Sequence, residues 1–286
     1  MVAGEPRCAR AIIEYDGTAF AGSQYQPNAR TVQGELEEAL NRLTGEQARV
    51  RFAGRTDAGV HATGQVVAFC LSGRSPGRSP RGGMGDGWRE LQRRLNALLP
   101  DDVAVRGMWG THRGFDPRRE ALARVYRYRI RMGGAARPLE RHRTLEINDR
   151  LDVAAMRVAA ASITGERDFA ALGSDTYGRT IRHLSEVAVL RRSAVVEIRV
   201  TGDAFLRRMV RSIAAILLEV GRGKLAPEEV AGLLDAPSRA LHGRAAPPRG
   251  LTLEKVIYVN TESTRKPSRS PKRAPSVQKE AKKREP

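Results

Sequence analysis

Cysteine is scarce: Cys8 and Cys70 are the only two in 286 residues, and neither belongs to a CxxC or a Cys/His cluster. Neither a disulfide framework nor a structural zinc site is signalled, so two reduced, structural thiols are expected. No apolar run approaches the roughly 20 residues needed to span a bilayer. The opening MVAGEPRCAR carries no apolar segment of the signal-peptide kind. A soluble, cytoplasmic protein without a membrane partner is the expectation. Cofactor motifs are missing too. There is no P-loop and no catalytic triad, and GMGDG (83–87) lacks the GxGxxG spacing of a dinucleotide fingerprint. Redox, kinase and metallohydrolase chemistry are thereby disfavoured, and neither a cofactor nor a metal is expected.

Acidic residues are also in deficit, with 32 Asp and Glu against 50 Lys and Arg, a net charge of +18. A balance this basic points to a polyanionic partner, nucleic acid ahead of an anionic membrane surface because no amphipathic anchor is evident. Nine basic and three acidic residues lie in 261–286, so +6 resides there and +12 in the remainder. The body of the chain is basic on its own account.

That final segment, 261–286, is rich in Pro, Ser and Lys/Arg and poor in aliphatic residues, which predicts a disordered tail. The stretch SGRSPGRSPRGGMGDG (72–87) reads as a mobile basic loop. Between them the pattern is regular. Ala9, Ala11, Ile13 and Tyr15 alternate as in a strand. Thr31 can cap a helix with Val32, Leu36, Ala39, Leu40 and Leu43 at helical spacing, ended by Gly45. Strands at 50–52 and 65–71, a helix on Leu91, Leu95 and Leu98, and a strand starting at Val103 complete a β-α-β-β-α-β order, the ferredoxin-like split βαβ. Strands are predicted at 123–131, 141–147, 184–190, 194–200 and 251–259, and helices at 152–163, 204–220 and 227–235, the last with Pro227 in its first turn. The fold class is α+β: two ferredoxin-like halves, an extended, mostly antiparallel sheet and a central cleft. The expected division is 1–108, 109–260 and the tail 261–286, with a hinge at 106–117.

AGRTDAGVHATGQVVAF (53–69) places Arg55 and Asp57 in a glycine-fenced turn before an apolar run. Two readings stand: an ordinary Asp-containing turn with Gly59 at positive φ, or a carboxylate fixed at a strand end to act as base or nucleophile. In ARVYRYRIR (123–131), Tyr126 and Tyr128 alternate with Arg127 and Arg129. This is either a half-buried strand or the aromatic and cationic surface by which RNA is held. GDAFLRRMVRS (202–212) sets Arg207, Arg208 and Arg211 at the start of a helix, where the dipole disfavours cations. A ligand-facing role is suggested, and Arg211 is a candidate partner for a buried carboxylate. His61 is a weak candidate general base, with no nucleophile or second histidine beside it.

The stretch 53–69 resembles the catalytic motif of the TruA-type tRNA pseudouridine synthases. EYDGTAFAG (14–22), RTVQGELEEAL (30–40), FDPRREALARVYRYRI (115–130) and GDAFLRRMVRSI (202–213) resemble further blocks of that family, in the family's order. The resemblance implies that Asp57 is the catalytic aspartate and that Tyr126 packs against, or relays protons with, the target uracil. It further implies that Arg55 helps displace the target nucleotide, that Arg211 is the basic partner of the aspartate, and that Arg118 contacts the substrate. The implied reaction converts uridine to pseudouridine in the anticodon stem-loop of tRNA, at positions 38, 39 and 40, by a homodimer without cofactor. This chain departs from the pattern at Ser23, where the family often has Trp, at Asp116-Pro117, where His-Ala is frequent, and at Asp203, where Asn is common.

Breaking the C1′–N1 bond, turning the uracil and joining C5 to C1′ requires a carboxylate at the sugar, either as nucleophile on C1′ or as base at C2′. A base inside a stem must leave the stack at a cost of a few kcal/mol, which phosphate contacts offset. Two rivals fit the same residues: an RNA N-glycosylase using the same carboxylate, and a basic tRNA-binding protein with no chemistry.

Overall fold

The computed structural model describes residues 7–72, 86–135, 137–173, 178–235 and 245–259. The segment 261–286 and residues 73–85 of the basic loop lie outside them, so the expectations for both stand as sequence readings. The first half begins with β1 (Arg7–Tyr15), whose Ala9, Ala11, Ile13 and Tyr15 face the core as their alternation requires. Helix α1 (Val32–Thr44) starts where the Thr31 side chain accepts the Gly34 N–H, and it stops at Gly45 in the left-handed region. After it come β2 (Arg51–Phe52), β3 (His61–Leu71), α2 (Asp86–Asn96) and β4 (Val103–Thr111). The sheet runs β4-β1-β3 with β2 beside β3, every pairing antiparallel.

Two expectations fail here. β4 continues through Thr111, so much of the supposed hinge at 106–117 is strand, held to β1 from Tyr15↔Val103 to Cys8↔Thr111. The cysteines are joined as a disulfide. They stand 62 positions apart in sequence, and only the antiparallel register of β1 on β3 sets Cys8 directly opposite Cys70.

The second half contributes β5 (Ala121–Met132), β6 (Leu145–Ile147), α3 (Val153–Ile163), β7 (Gly165–Asp168), β8 (Ile181–Arg192), β9 (Val195–Gly202), α4 (Met209–Gly221), α5 (Glu229–Asp235) and β10 (Leu251–Tyr258). Its strands are ordered β10-β5-β9-β8-β7. The strand expected at 141–147 shrinks to three residues, because 137–143 is tied up in turn hydrogen bonds (Glu140 N–H to Arg137 O, Arg143 N–H to Glu140 O). The helix expected from 204 starts only at Met209. The Asp203 carboxylate takes the N–H groups of Ala204 and His183, and Arg208 adopts φ 65, so 203–208 is a turn.

On β5 the strand face bearing Tyr126, Tyr128, Ile130 and Met132 is buried. On the opposite face Arg127 pairs with Glu197 and Glu254, and Arg129 with Glu197. The half-buried strand therefore prevails over an open stacking platform. Tyr128 is pure core, its hydroxyl donating to the Pro247 carbonyl at 2.8 Å.

One strand joins the two sets. β10 lies parallel to β3 (Thr252↔His61, Leu253↔Ala62) and antiparallel to β5 (Leu253↔Tyr126), giving a single ten-stranded, mostly antiparallel sheet. Leu253 thus sits in one row between Ala62 and Tyr126, two strand spacings or roughly 10 Å across. That row brings the loop before β3 over the middle of β5.

Candidate active site

The loop 53–60 is held from below and from the side. From below, the Tyr15 hydroxyl meets Thr56 Oγ1 at 2.8 Å, and Gln65 Nε2 donates to Gly54 O at 2.7 Å. Burial pushes the Tyr15 phenol up to about 12, so it remains a neutral bonding partner. From the side, Ser23 lies fully buried with its Oγ accepting the Thr56 N–H at 2.9 Å and its own N–H donating to Thr56 O at 3.1 Å. Ser23, a departure already noted from the sequence, therefore clamps the loop itself. Gly22 bridges to Asp57 at φ 119, where an added Cβ would sit 2.9 Å from Thr56 O. At Gly59, φ 75, an added Cβ would sit 2.9 Å from Pro248 Cγ. Side chains at either position would push the loop off its seat.

Asp57 crowns this loop, its side chain 23% exposed. Arg211, in the first turn of α4, donates from Nη1 to Asp57 Oδ2 at 3.0 Å and from Nε to the Ala246 carbonyl at 2.8 Å. Two bonds at right stations fix the guanidinium, and the guanidinium fixes the carboxylate. Arg207 Nε stands 3.9 Å from the other oxygen, Oδ1. Arg208, left-handed and exposed, turns the chain into α4 so that Arg207 and Arg211 approach one carboxylate from two sides. A non-glycine residue at positive φ costs on the order of 1 kcal/mol or more and persists only where the surroundings enforce it.

The other expected residues are distributed unevenly. Tyr126 is buried beneath the loop, edge-on to Phe205 at 5.1 Å between centroids. Its hydroxyl lies 3.6 Å from where a Cβ on Gly54 would be. Burial, with Tyr15 and Asp57 nearby, raises its pKa well beyond the ordinary phenol range, so it stays protonated. Arg55 is exposed and forms no ion pair with any described residue. Arg118 is exposed as well; its backbone N–H donates to Asp116 Oδ1 at 2.9 Å, as does that of Arg119 at 3.1 Å. His61 is excluded as a base by its surroundings. It is 3% exposed, its Nδ1 accepts the Gly17 N–H at 3.0 Å, and burial lowers its pKa despite the neighbouring Asp16. Because Nδ1 is occupied as an acceptor, the 3.2 Å approach to Asp16 is not an ion pair.

One important residue escaped the sequence reading. Arg124 is 6% exposed and forms no ion pair with a carboxylate among the described residues; its guanidinium donates to the carbonyls of Ala53 (2.9 Å), Arg118 and Asp203. Those carbonyls open the Asp57 loop, lie in the 116–119 turn and start the arginine turn. A single buried fork thus ties three separate stretches of the site together. Burial lowers its pKa without removing the charge. Its only sequence signal was a cation on the face of β5 that otherwise carries Tyr126, Tyr128 and Ile130.

Among the described residues no group of three or more His, Cys, Asp or Glu side chains could hold a metal, and no helix is long and apolar enough to cross a membrane. What the geometry defines is an acid-base or nucleophilic site with one oriented carboxylate, arginines around it and neutral phenols beneath. The family model for tRNA pseudouridine synthase matches residues 11–84 and 159–259. Among curated proteins, tRNA pseudouridine synthase A of Geobacter sulfurreducens is 44% identical over 88% of this chain and 100% of that protein. The protein of the same name from Citrifermentans bemidjiense is 41% identical over 87% and 96%. That from Myxococcus xanthus is 41% identical over 90% and 94%. The chain is an isomerase acting on tRNA, and it belongs to the tRNA pseudouridine synthase family.

Proposed function

We propose that this chain isomerises uridine to pseudouridine at positions 38, 39 and 40 of the tRNA anticodon stem-loop, acting as a cytoplasmic homodimer with Asp57 as its catalytic carboxylate. The observation that carries the reading is the 3.0 Å contact of Asp57 with Arg211, which aims a carboxylate from a buried loop without closing it off. Asp57 acts at the sugar while the C1′–N1 bond breaks with its electron pair on the uracil. The base turns within the site, C5 bonds to C1′, the C5 proton departs to solvent, and N1, which left with the bonding electron pair, takes up a proton in its place. Atoms are conserved, so no cofactor is consumed.

The remaining residues divide the work. Tyr126, protonated and backed by Phe205, offers a flat neutral wall for the uracil. Arg55, exposed at the loop without an ion pair to any described residue, enters the space of the displaced nucleotide. Arg118 contacts the RNA backbone beside it. The net charge of +18 supplies the attraction for the polyanion.

Tritium release from tRNA labelled at C5 of uridine, comparing wild type with Asp57→Ala, tests the proposal together with the mass of the product. Release by the wild type alone at unchanged RNA mass is expected. A lighter, abasic product would instead establish a glycosylase. Absence of release from a full tRNA pool, with tRNA still bound, would leave a binding protein.

A further inference from the structure

We infer, on the reading of Asp57 as the catalytic carboxylate and RNA as the substrate, that Arg207 is an exchangeable counter-ion. It covers the second oxygen of Asp57 and passes to a phosphate flanking the target uridine as the ribose reaches that oxygen.

Asp57 meets two arginines that are held very differently. Arg211, its side chain 14% exposed, bonds Oδ2 at 3.0 Å and the Ala246 carbonyl at 2.8 Å, so it cannot leave without breaking both bonds. Arg207 is 58% exposed and its Nε stands 3.9 Å from Oδ1, beyond hydrogen-bond reach. Such a solvent-screened approach contributes little to stability, so stability does not explain why a second cation faces this carboxylate. The backbone beneath Arg207 is fixed, which leaves its side chain as the moving part. At the start of the turn the Asp203 N–H donates to the His183 carbonyl at 3.1 Å, and Arg124 donates to the Asp203 carbonyl. At its end the Met209 N–H donates to Leu206 O at 3.2 Å and the Ser212 N–H to Arg208 O at 2.9 Å.

The chemistry of the substrate supplies the exchange. Whether Asp57 attacks C1′ or takes the proton at C2′, one of its oxygens must come within roughly 3–3.5 Å of the reacting atom. With Oδ2 occupied by the fixed arginine, that oxygen is Oδ1, and Arg207 must yield its place. A ribose within RNA carries a phosphate on each side, so the anion arrives with the group that displaces the cation. A planar guanidinium can donate to two phosphate oxygens at once, a better match than one carboxylate oxygen outside bonding range. Arg211 stays behind and keeps Asp57 oriented.

The test uses the full chain and anticodon stem-loop hairpins in which the phosphate 5′ or 3′ of the target uridine is replaced by an uncharged methylphosphonate. Dissociation constants and conversion kinetics are measured for wild type, Arg207→Ala, Arg207→Lys, Asp57→Ala and the double Ala variant. Neutralising one of the two linkages should weaken wild-type binding about tenfold, the size of one lost charge-assisted bond. Arg207→Ala should show the same loss on the unmodified hairpin, in KM far more than in kcat, and no further loss on the neutral linkage. Its slope of log affinity against log salt should be shallower by about 0.7 to 0.9, the value of one phosphate contact. Arg207→Lys, which keeps the charge without the fork, should recover part of the affinity. Removing the competing carboxylate in Asp57→Ala should tighten binding about threefold, the scale of an exposed ion pair, and the double variant should lose that gain. A linkage effect that persists undiminished in Arg207→Ala would overturn the inference. So would an Asp57→Ala variant that binds no tighter, or a fall in kcat with KM unchanged in Arg207→Ala. A wild type that binds every hairpin yet converts none would strike the proposed activity instead; the linkage comparison would still decide for or against the phosphate contact.

Discussion

Asp57 and Arg211 stand 154 positions apart in the chain and 3.0 Å apart in the fold. The pair is only partly screened, with the carboxylate 23% and the guanidinium 14% exposed. Its second bond, to Ala246 O, makes Arg211 a strut between the Asp57 loop and the segment that leads into β10.

Replacing that strut should separate orientation from binding. Arg211→Ala is expected to lower kcat by about 10²-fold, the size of effect that an ångström of misplacement produces, with a much smaller change in KM for tRNA. Arg211→Lys should recover only part of the loss, because one ammonium cannot reproduce the fork that serves Asp57 and Ala246 together. Single-turnover kinetics at saturating tRNA distinguishes these outcomes, and an unchanged kcat in Arg211→Ala would refute the strut.

Arg124 is expected to be the most sensitive residue outside the Asp57 loop. Arg124→Met leaves the carbonyls of Ala53, Arg118 and Asp203 without their donor. At about 1 kcal/mol or more for each buried group left unmade, a loss of about 3 kcal/mol follows, read as a shift of the urea midpoint. Turnover per folded molecule should drop as well, since all three tethered stretches border the site. A variant that unfolds earlier yet turns over normally would show Arg124 to be structural alone.

The Cys8–Cys70 disulfide closes a loop of 62 positions. Removing such a cross-link costs about 2–4 kcal/mol, so reduction, or Cys8→Ser with Cys70→Ser, should lower the urea midpoint. The β1–β3 register through this stretch is supported by its own ladder from Arg7↔Leu71 to Tyr15↔Ala62. Activity of the folded variant should therefore stay near wild type. Thiol titration of the unfolded, non-reduced protein should count no free cysteine.

Acid should weaken the fold through His61. Its folded pKa lies below the ordinary 6.5 because it is buried, so the unfolded chain binds the proton more readily. The stability contribution is complete above about pH 6.5 and is lost as pH falls from there toward the folded value, by at most about 1.4 kcal/mol per pH unit. His61→Asn can still accept the Gly17 N–H but does not titrate. Urea midpoints at pH 7.5, 6.5 and 5.5 should fall less steeply for this variant than for wild type, and parallel curves would exclude His61 as the source.

Much of this molecule is legible in its sequence. Alternation put Ala9, Ala11, Ile13 and Tyr15 on one face of β1, and Thr31 and Gly45 marked both ends of α1, because period and capping are local physics. The segment 203–208 misled for the same reason: its apolar spacing is helical, but bonds from Asp203 to Ala204 and to the distant His183 hold it as a turn. The disulfide was hidden by strand register.

What the chain by itself determined was its basic charge, its α+β pattern and the loop that presents Asp57, all written in neighbouring residues. Tertiary structure alone decided which arginine meets that carboxylate, that Ser23 clamps the loop, and that Arg124 serves three carbonyls rather than RNA. Such contacts join residues from 33 to 154 positions apart. They depend on the path β3-β10-β5 through the sheet, and no local periodicity encodes which strands become neighbours.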